Sequence, residues 1–537
     1  MVAVILGFVV LCPTDAAPNK TVEVIDLRGL SGTQGLTLSI AAGLLSRDPD
    51  SPLVFPKMLP NDDLWLASVI KDYPDVRFTN TSADSLLQQA VQSGAVKSTI
   101  IFSEAEPWTF VTLLSLCALH KALPLPNTPA LSHSSTEVVV IQRPDLVAQG
   151  FLADLVAQRS LFTFWLPDMC TAGSPSNALY QIITDKAHSE GHMLTLMGYF
   201  PSQEVVASCS RLHTEVSLVS DFSSSLSFWS RLPPLSALGL LSTWTTGQPS
   251  GVSQHRMSQP QLPPQPPVQD VRYNPDHTYV AVIVSDGDNM QMAFNWDREH
   301  MDQRVAACAA DPSYLGCPPL SWTISNHLAD YAPYALQWYY RQAASTGQDS
   351  FLLGPSGAGF LHPSLIDASD PLVQVFINQT LDALKLLGAS AWVQWDEYDN
   401  HARRSGTASL EQARGTQRLH QPLQEEAMQA YVSRFKGTGV AVFSPITPYL
   451  PPWVDDGIPT FTEWVRWFAS KPTKEVADFL NGEGLKGELG FMYMIIDIGM
   501  DRLRELMPLL EAHVELVGYR ELVQLAHQKR EYERNHV

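Results

Sequence analysis

The segment Tyr279 to Asn289 reads Tyr-Val-Ala-Val-Ile-Val-Ser-Asp-Gly-Asp-Asn, and it limits the fold more than any other stretch of the chain. Six apolar, mostly β-branched residues in an unbroken run describe a strand covered on both faces, as in parallel sheets flanked by helices. The run passes directly into Ser285, Asp286, Gly287, Asp288 and Asn289. In α/β folds the carboxyl ends of parallel strands are where ligands bind and reactions occur. Gly287 is read as the residue that lets the backbone turn without a Cβ penalty, so that two carboxyls crowd one spot. A turn that needed only polarity would not require two charges so close together. The stretch is therefore read as an active-site strand.

The same strand-then-helix rhythm continues downstream. Strands are expected at 279–284, 320–324, 351–353, 391–395, 440–443, 489–496 and 513–517, with helical patterns at 329–344, 371–387, 425–435 and 501–510. This is an α/β pattern, and it fits a C-terminal (β/α) barrel-like domain of seven or eight strands over 276–537, with an open doubly wound sheet as the alternative. Upstream, shorter strand patterns at 22–27, 76–78, 98–102, 138–141 and 193–197 alternate with helical ones at 34–45, 85–93 and 176–190. They predict a smaller N-terminal α/β region, one or two domains over 18–245. Between the two, 246–275 is rich in Gln, Pro and Ser, a composition that favours an extended, solvated linker. Residues 401–425, rich in Arg, Gln, Ser and Gly, read as a surface loop, an inert insertion or a lid.

A formal charge of −20 argues against nucleic acid or an anionic membrane surface as partner. Residues 1–17 have an apolar core followed by small residues and read as a signal peptide, too short to span a bilayer. No later run is apolar enough for membrane insertion. Cys308 and Cys317 flank a short loop and are expected to close a disulfide in an oxidising compartment. Cys170 and Cys209 form a second candidate pair, and Cys117, in an apolar run, reads as a buried free thiol. Asn80 and Asn378 begin N-glycosylation triplets. Together these features predict a secreted or endomembrane-lumen protein, the lysosome included. Nothing in the sequence sets the oligomeric state.

Several strand candidates end in polar or Gly-rich sequence. Strand 320–324 runs into Ser325, Asn326 and His327; strand 351–353 runs into a loop containing Gly354, Ser356, Gly357 and Gly359; strand 391–395 runs into Asp396, Glu397 and Tyr398. Polar groups gathered at one end of several strands are what a barrel site requires. Two carboxyls flanking one Gly repel, which raises the pKa of one, and a Glu beside Trp395 and Tyr398 is raised by desolvation. Trp322, Trp392 and Trp395 are candidates for stacking on sugar rings, with core packing the competing reading, stronger for the first two.

The stretch Gly357-Ala358-Gly359-Phe360-Leu361-His362-Pro363 resembles the G-x-G-Y-x-Y-P signature of the GxGYxYP putative glycoside hydrolases. Gly354-Pro355-Ser356 and Ser285 to Asn289 also resemble blocks of that family, while Phe360 and His362 stand where the signature has Tyr. The resemblance implies a carbohydrate substrate and hydrolysis of glycosidic bonds. That chemistry needs one protonated and one ionised carboxyl, assigned to Asp286, Asp288 and Glu397, with Glu397 as acid and either Asp as nucleophile or base. Substrate contacts are expected from Asn289, Asn326, Ser356, Gly357, Gly359, Phe360, His362, Trp395, Asp396 and Tyr398. No cofactor is expected under this reading. Two alternatives stay open: a metal-dependent deacetylase using Asp286 and Asp288 with His327 or His362 as ligands to a divalent ion, and a glycan-binding protein without turnover.

Overall fold

The computed structural model describes residues 21–30, 32–47, 51–102, 117, 121–126, 137–140, 162–163, 194–198, 214–218, 262–362, 369–395, 426–445, 450–495 and 499–536. The candidate leader, the Cys170–Cys209 pair, Asp396, Glu397, Tyr398 and the 401–425 loop lie outside these residues.

Among the described residues the N-terminal region holds three small parallel sheets. Strands β1 (Thr21–Asp26), β2 (Leu53–Lys57) and β3 (Arg77–Asn80) pair in the order β2–β1–β3. Strands β4 (Ser98–Phe102), β5 (Ala122–Pro126) and β6 (Glu137–Val140) pair as β5–β4–β6. Strands β7 (Phe162–Thr163), β8 (Leu194–Gly198) and β9 (Thr214–Leu218) pair in chain order. The helix Gly32–Arg47 lies between the first two sheets, and Leu38, Ala41 and Leu45 share one apolar cluster with Val54, Leu86, Ile100 and the buried thiol Cys117.

The opposite face of the first sheet is welded to the C-terminal half. Val22, Val24 and Phe55, with Trp65 and Val69 of the helix Asp62–Asp72, belong to the same apolar core as the barrel helices. Trp65 is fully buried, its indole N–H donates to the Phe294 carbonyl at 2.8 Å, and its ring lies 5.1 Å from that of Trp338. The Arg298 guanidinium sits 3.8 Å over Trp338 and 4.9 Å over Trp65, and donates to Ser68 Oγ at 2.9 Å. A cation held between two aromatic faces in a dry interface is a strong contact.

The barrel is closed. Strands β10 (Thr278–Val284), β11 (Leu320–Ile324), β12 (Asp349–Leu353), β13 (Ala391–Val393), β14 (Ala441–Ser444), β16 (Ile458–Trp467) and β17 (Leu489–Met494) form a parallel ring that returns to β10; β15 (Trp453–Val454) is a short antiparallel flap on β16. Strand β16 was not foreseen. Strand β18 (Val514–Val517) was, but it lies outside the ring, beside Thr278 to Ala281 of β10. The same edge of β10 then turns to β11 through Ile283 and Val284.

Alternation sorts the strand residues into two layers. Tyr279, Ala281 and Ile283 point inward with Phe443, Phe461, Phe491 and Tyr493, whereas Val280, Val282 and Val284 face the surrounding helices. The C-terminal helix Tyr519–His536 closes the N-terminal mouth: Leu522 and Leu525 join the inner cluster, Lys529 pairs with Glu488 at 2.7 Å, and Arg530 with Asp456 at 2.6 Å. The end of the Pro/Gln-rich stretch is strapped to the barrel, with Gln265 bonded to the backbone of Phe351 in both directions at 2.9 Å. Cys308 and Cys317 form a disulfide. Among the described residues no helix is long and apolar enough to cross a membrane.

Candidate active site

The floor of the barrel is sealed by the last helix, and the candidate residues stand at the opposite rim, at the carboxyl ends of the strands. Asp286 leaves β10 with φ of +66°, and the Asn289 N–H closes the turn on the Asp286 carbonyl at 3.0 Å. Asp is one of the few residues with a side chain that tolerates this left-handed geometry. Gly287 has a different task from the one assigned to it from sequence. A Cβ there would lie 1.7 Å from the Thr323 carbonyl oxygen, so the residue is demanded by close approach of β10 to β11. Its N–H donates to Thr323 Oγ1 at 2.9 Å, and that hydroxyl donates to the Val284 carbonyl at 2.8 Å. Gly354, at the end of β12, clears the next space: a Cβ there would come within 2.7 Å of the Asp288 Cβ. Two absent methyl groups thus let Asp288 sit between β10, β11 and β12.

Burial, and next the charge of Asp286, push the Asp288 carboxyl up to about 8, with only partial relief from backbone N–H groups of Asp288 and Asn289. Asp288 keeps some accessible surface, but the packing around it excludes most solvent, and loss of hydration dominates. A third carboxyl, missed in the sequence, stands behind the pair. Asp297, in the first turn of the helix Trp296–Ala310, is 4% exposed, and its Oδ1 has no hydrogen-bond partner. Burial and then Asp286 and Asp288 hold its pKa well above the usual carboxylate range. Three acids this close cannot all ionise.

A cleft of about 10 Å³, room for roughly one water, opens beside Asp288. It is bordered by Asn326, His327, Gly357, Gly359 and Phe360 among others. Of the expected substrate contacts, Asn326, Gly357, Gly359 and Phe360 border this cleft. Burial pushes the His327 imidazole down to about 4, against a hydrogen bond with the Ala358 backbone, so it is neutral at pH 7. Asn289, Ser356 and His362 are buried and do not border the cleft. Ser356 Oγ donates to the Trp395 carbonyl at 2.7 Å and its N–H to the Gly359 carbonyl at 2.9 Å, which ties the Gly-rich loop to the end of β13. His362 packs 5.7 Å from the Phe360 ring.

The other arc of the rim carries groups that the sequence did not reveal. The pairing of β16 with β17 shifts between Glu463 and Val465, leaving Trp464 as an extra residue. This bulge places Glu463 and Arg466, three apart, on the same inward face. They form a two-pronged ion pair, Nε to Oε1 at 2.9 Å and Nη2 to Oε2 at 2.7 Å. Burial raises the Glu463 pKa in spite of that pair. The Arg466 guanidinium lies 5.0 Å over the Trp395 ring, and Tyr493 lies 6.0 Å from it, so Trp395 is not an open stacking platform. Tyr493 feels the charges of Asp286, Asp288, Glu463 and Arg466, which places it between the two arcs. Trp322 and Trp392 are core residues, their N–H groups bonded to Asp349 at 3.1 Å and Gln394 at 3.0 Å.

Residues 276–527 match the family model described as GxGYxYP putative glycoside hydrolase C-terminal domain. Among solved structures, the chain is similar to a putative hydrolase from Bacteroides thetaiotaomicron VPI-5482, with 18% identity, 95% of each chain covered and a TM-score of 0.68, which shows a shared fold. A putative polysaccharide deacetylase from Mycobacterium smegmatis aligns over 51% of this chain and 96% of its own at 12% identity, with a TM-score of only 0.28. No curated protein is significantly similar to the chain. The closed barrel, with its acidic rim and Gly-rich loop, is the part of the chain that matches the GxGYxYP putative glycoside hydrolase C-terminal domain.

Proposed function

We propose that this protein is a secreted carbohydrate-active hydrolase that cleaves glycosidic bonds with a pair of carboxyl groups at this rim of the barrel. The state of Asp288 carries the reading: a carboxyl pushed up to about 8 holds its proton at neutral pH, as a general acid requires. In this reading Asp288 gives its proton to the glycosidic oxygen as the bond to the sugar breaks, and a second, ionised carboxylate stabilises or captures the sugar cation. Asp286 or Glu397 fills that second role. Asp288 is thereby the donor, a part first assigned to Glu397. Asn326 and the Gly357 to Phe360 edge of the cleft contact the substrate. The Cys308–Cys317 disulfide and the exposed Asn80 and Asn378 support an oxidising, glycosylating route to the cell exterior.

The test is a screen of purified protein against a panel of aryl glycosides and oligosaccharides, with Asp288→Asn alongside. Release of reducing sugar by the wild type, reduced by about 10²-fold or more in the variant, supports the reading. Binding without any turnover in the wild type would make the protein a glycan-binding one instead.

A further inference from the structure

Acid chemistry at Asp288 leaves the second arc of the rim without a task. Its groups are built with unusual care for a purely structural ion pair. The β16 bulge turns Glu463 and Arg466 to the same side. Glu463 takes the Nε and Nη2 donors of Arg466, and Nη2 also reaches the Pro445 carbonyl at the end of β14. The Arg466 Nη1 group donates to none of the described residues. In this pair the guanidinium is the open end, its side chain 26% exposed against 8% for the carboxylate. Beneath it lies Trp395, whose buried indole N–H also has no partner. The Trp395 backbone is pinned by Ser356 Oγ at 2.7 Å and Gln394 Nε2 at 3.2 Å, so ring and guanidinium are held before any ligand arrives.

We propose that Arg466 and Trp395 form a sugar-binding subsite, the exposed guanidinium and the unpaired indole N–H donating to hydroxyl oxygens of a neutral sugar unit while Glu463 fixes the guanidinium. Resting as it does on the hydrolase reading, the assignment adds a substrate class to it. Neutrality follows from the charges. Glu463 already balances Arg466, and the other charges acting on this arc are Lys471, felt by Glu463, and the acids Asp286 and Asp288, felt by Tyr493. An Arg poised to capture an anion would keep its charge uncompensated; here the site offers donors without net positive charge. Hydroxyl oxygens need only the donors. Glu463 is a positioning residue, acting through Arg466.

A glycan array carrying neutral and uronate-containing oligosaccharides tests this, probed with full-length Asp288→Asn to prevent turnover. Arg466→Met and Trp395→Phe are then each added, the second keeping the ring and removing only the N–H. Expected is binding of neutral glycans by Asp288→Asn, weakened about tenfold or more by each added change. In the catalytic background the same two substitutions raise KM about tenfold with kcat changed much less. Should Arg466→Met fail to fold, Trp395→Phe decides alone. Unchanged affinity in the added variants, or preference for uronates, overturns the subsite while leaving hydrolysis intact. Binding lost in the variants of a protein that never hydrolyses a glycoside overturns the hydrolase reading and keeps the subsite. No glycan bound by Asp288→Asn overturns both.

Discussion

Asp288→Asn should stabilise the protein, and more so as the pH rises. The side chain keeps its size but cannot ionise. In the folded chain the carboxyl is raised from 3.8 to about 8. At roughly 1.4 kcal/mol per unit this sets a ceiling near ~6 kcal/mol, and the solvent that reaches Asp288 through the cleft lowers the expectation to about 2–4 kcal/mol. Because the folded pKa is the higher one, the folded chain holds more protons than the unfolded chain between about pH 4 and pH 8. Wild-type stability therefore falls with rising pH through that window on account of this group, and the Asn variant escapes that loss. Urea unfolding of both proteins from about pH 5 to pH 9 should show a stability difference that grows up to about pH 8 and is flat beyond. A difference that is constant with pH, or that shrinks as pH rises, would refute the burial of Asp288 as described.

Three further perturbations test the frame around the site. Gly287→Ala places a methyl group 1.7 Å from the Thr323 carbonyl oxygen, so the variant should lose more than ~4 kcal/mol or fail to fold in a denaturation assay. Trp65→Ala empties the joint between the first sheet and the barrel and should cost about 3–5 kcal/mol, with the N-terminal sheet becoming the first point of cleavage in limited proteolysis. Replacing Cys308 and Cys317 together by Ser opens a short loop and should cost about 2–3 kcal/mol, read as a lower Tm that matches that of the reduced wild type.

The barrel was legible wherever strands are covered on both faces. Tyr279 to Val284 is an unbroken apolar run because helices pack on one side and the barrel interior on the other. Strand β16 escaped notice because Ile458 to Trp467 mixes Pro459, two Thr, Glu463 and Arg466, and its bulge breaks the alternation that marks a strand. For the same reason Glu463 and Arg466 could not be placed together: three apart, they belong to opposite faces of a regular strand. Asp297 was overlooked since no helix was read over Trp296–Ala310, and nothing local sets its side chain beside Asp286 and Asp288. Asp286 and Asp288 were found from their spacing, although the part played by Gly287 depends on a neighbour, Thr323, that no local pattern names. Ser356 and His362 were expected at the substrate because they follow a strand end; they are buried, and Ser356 instead holds Trp395. The joint made by Trp65 and Arg298 unites distant parts of the chain and leaves no local signature.

The most direct measurement is the protonation state of Asp288 in the free protein, read by difference infrared spectroscopy of wild type minus Asp288→Asn across the neutral range. A protonated-carboxyl band should be present at neutral pH and vanish with a midpoint near 8. A carboxylate already formed at about pH 5 would contradict the assignment of Asp288 as the proton donor.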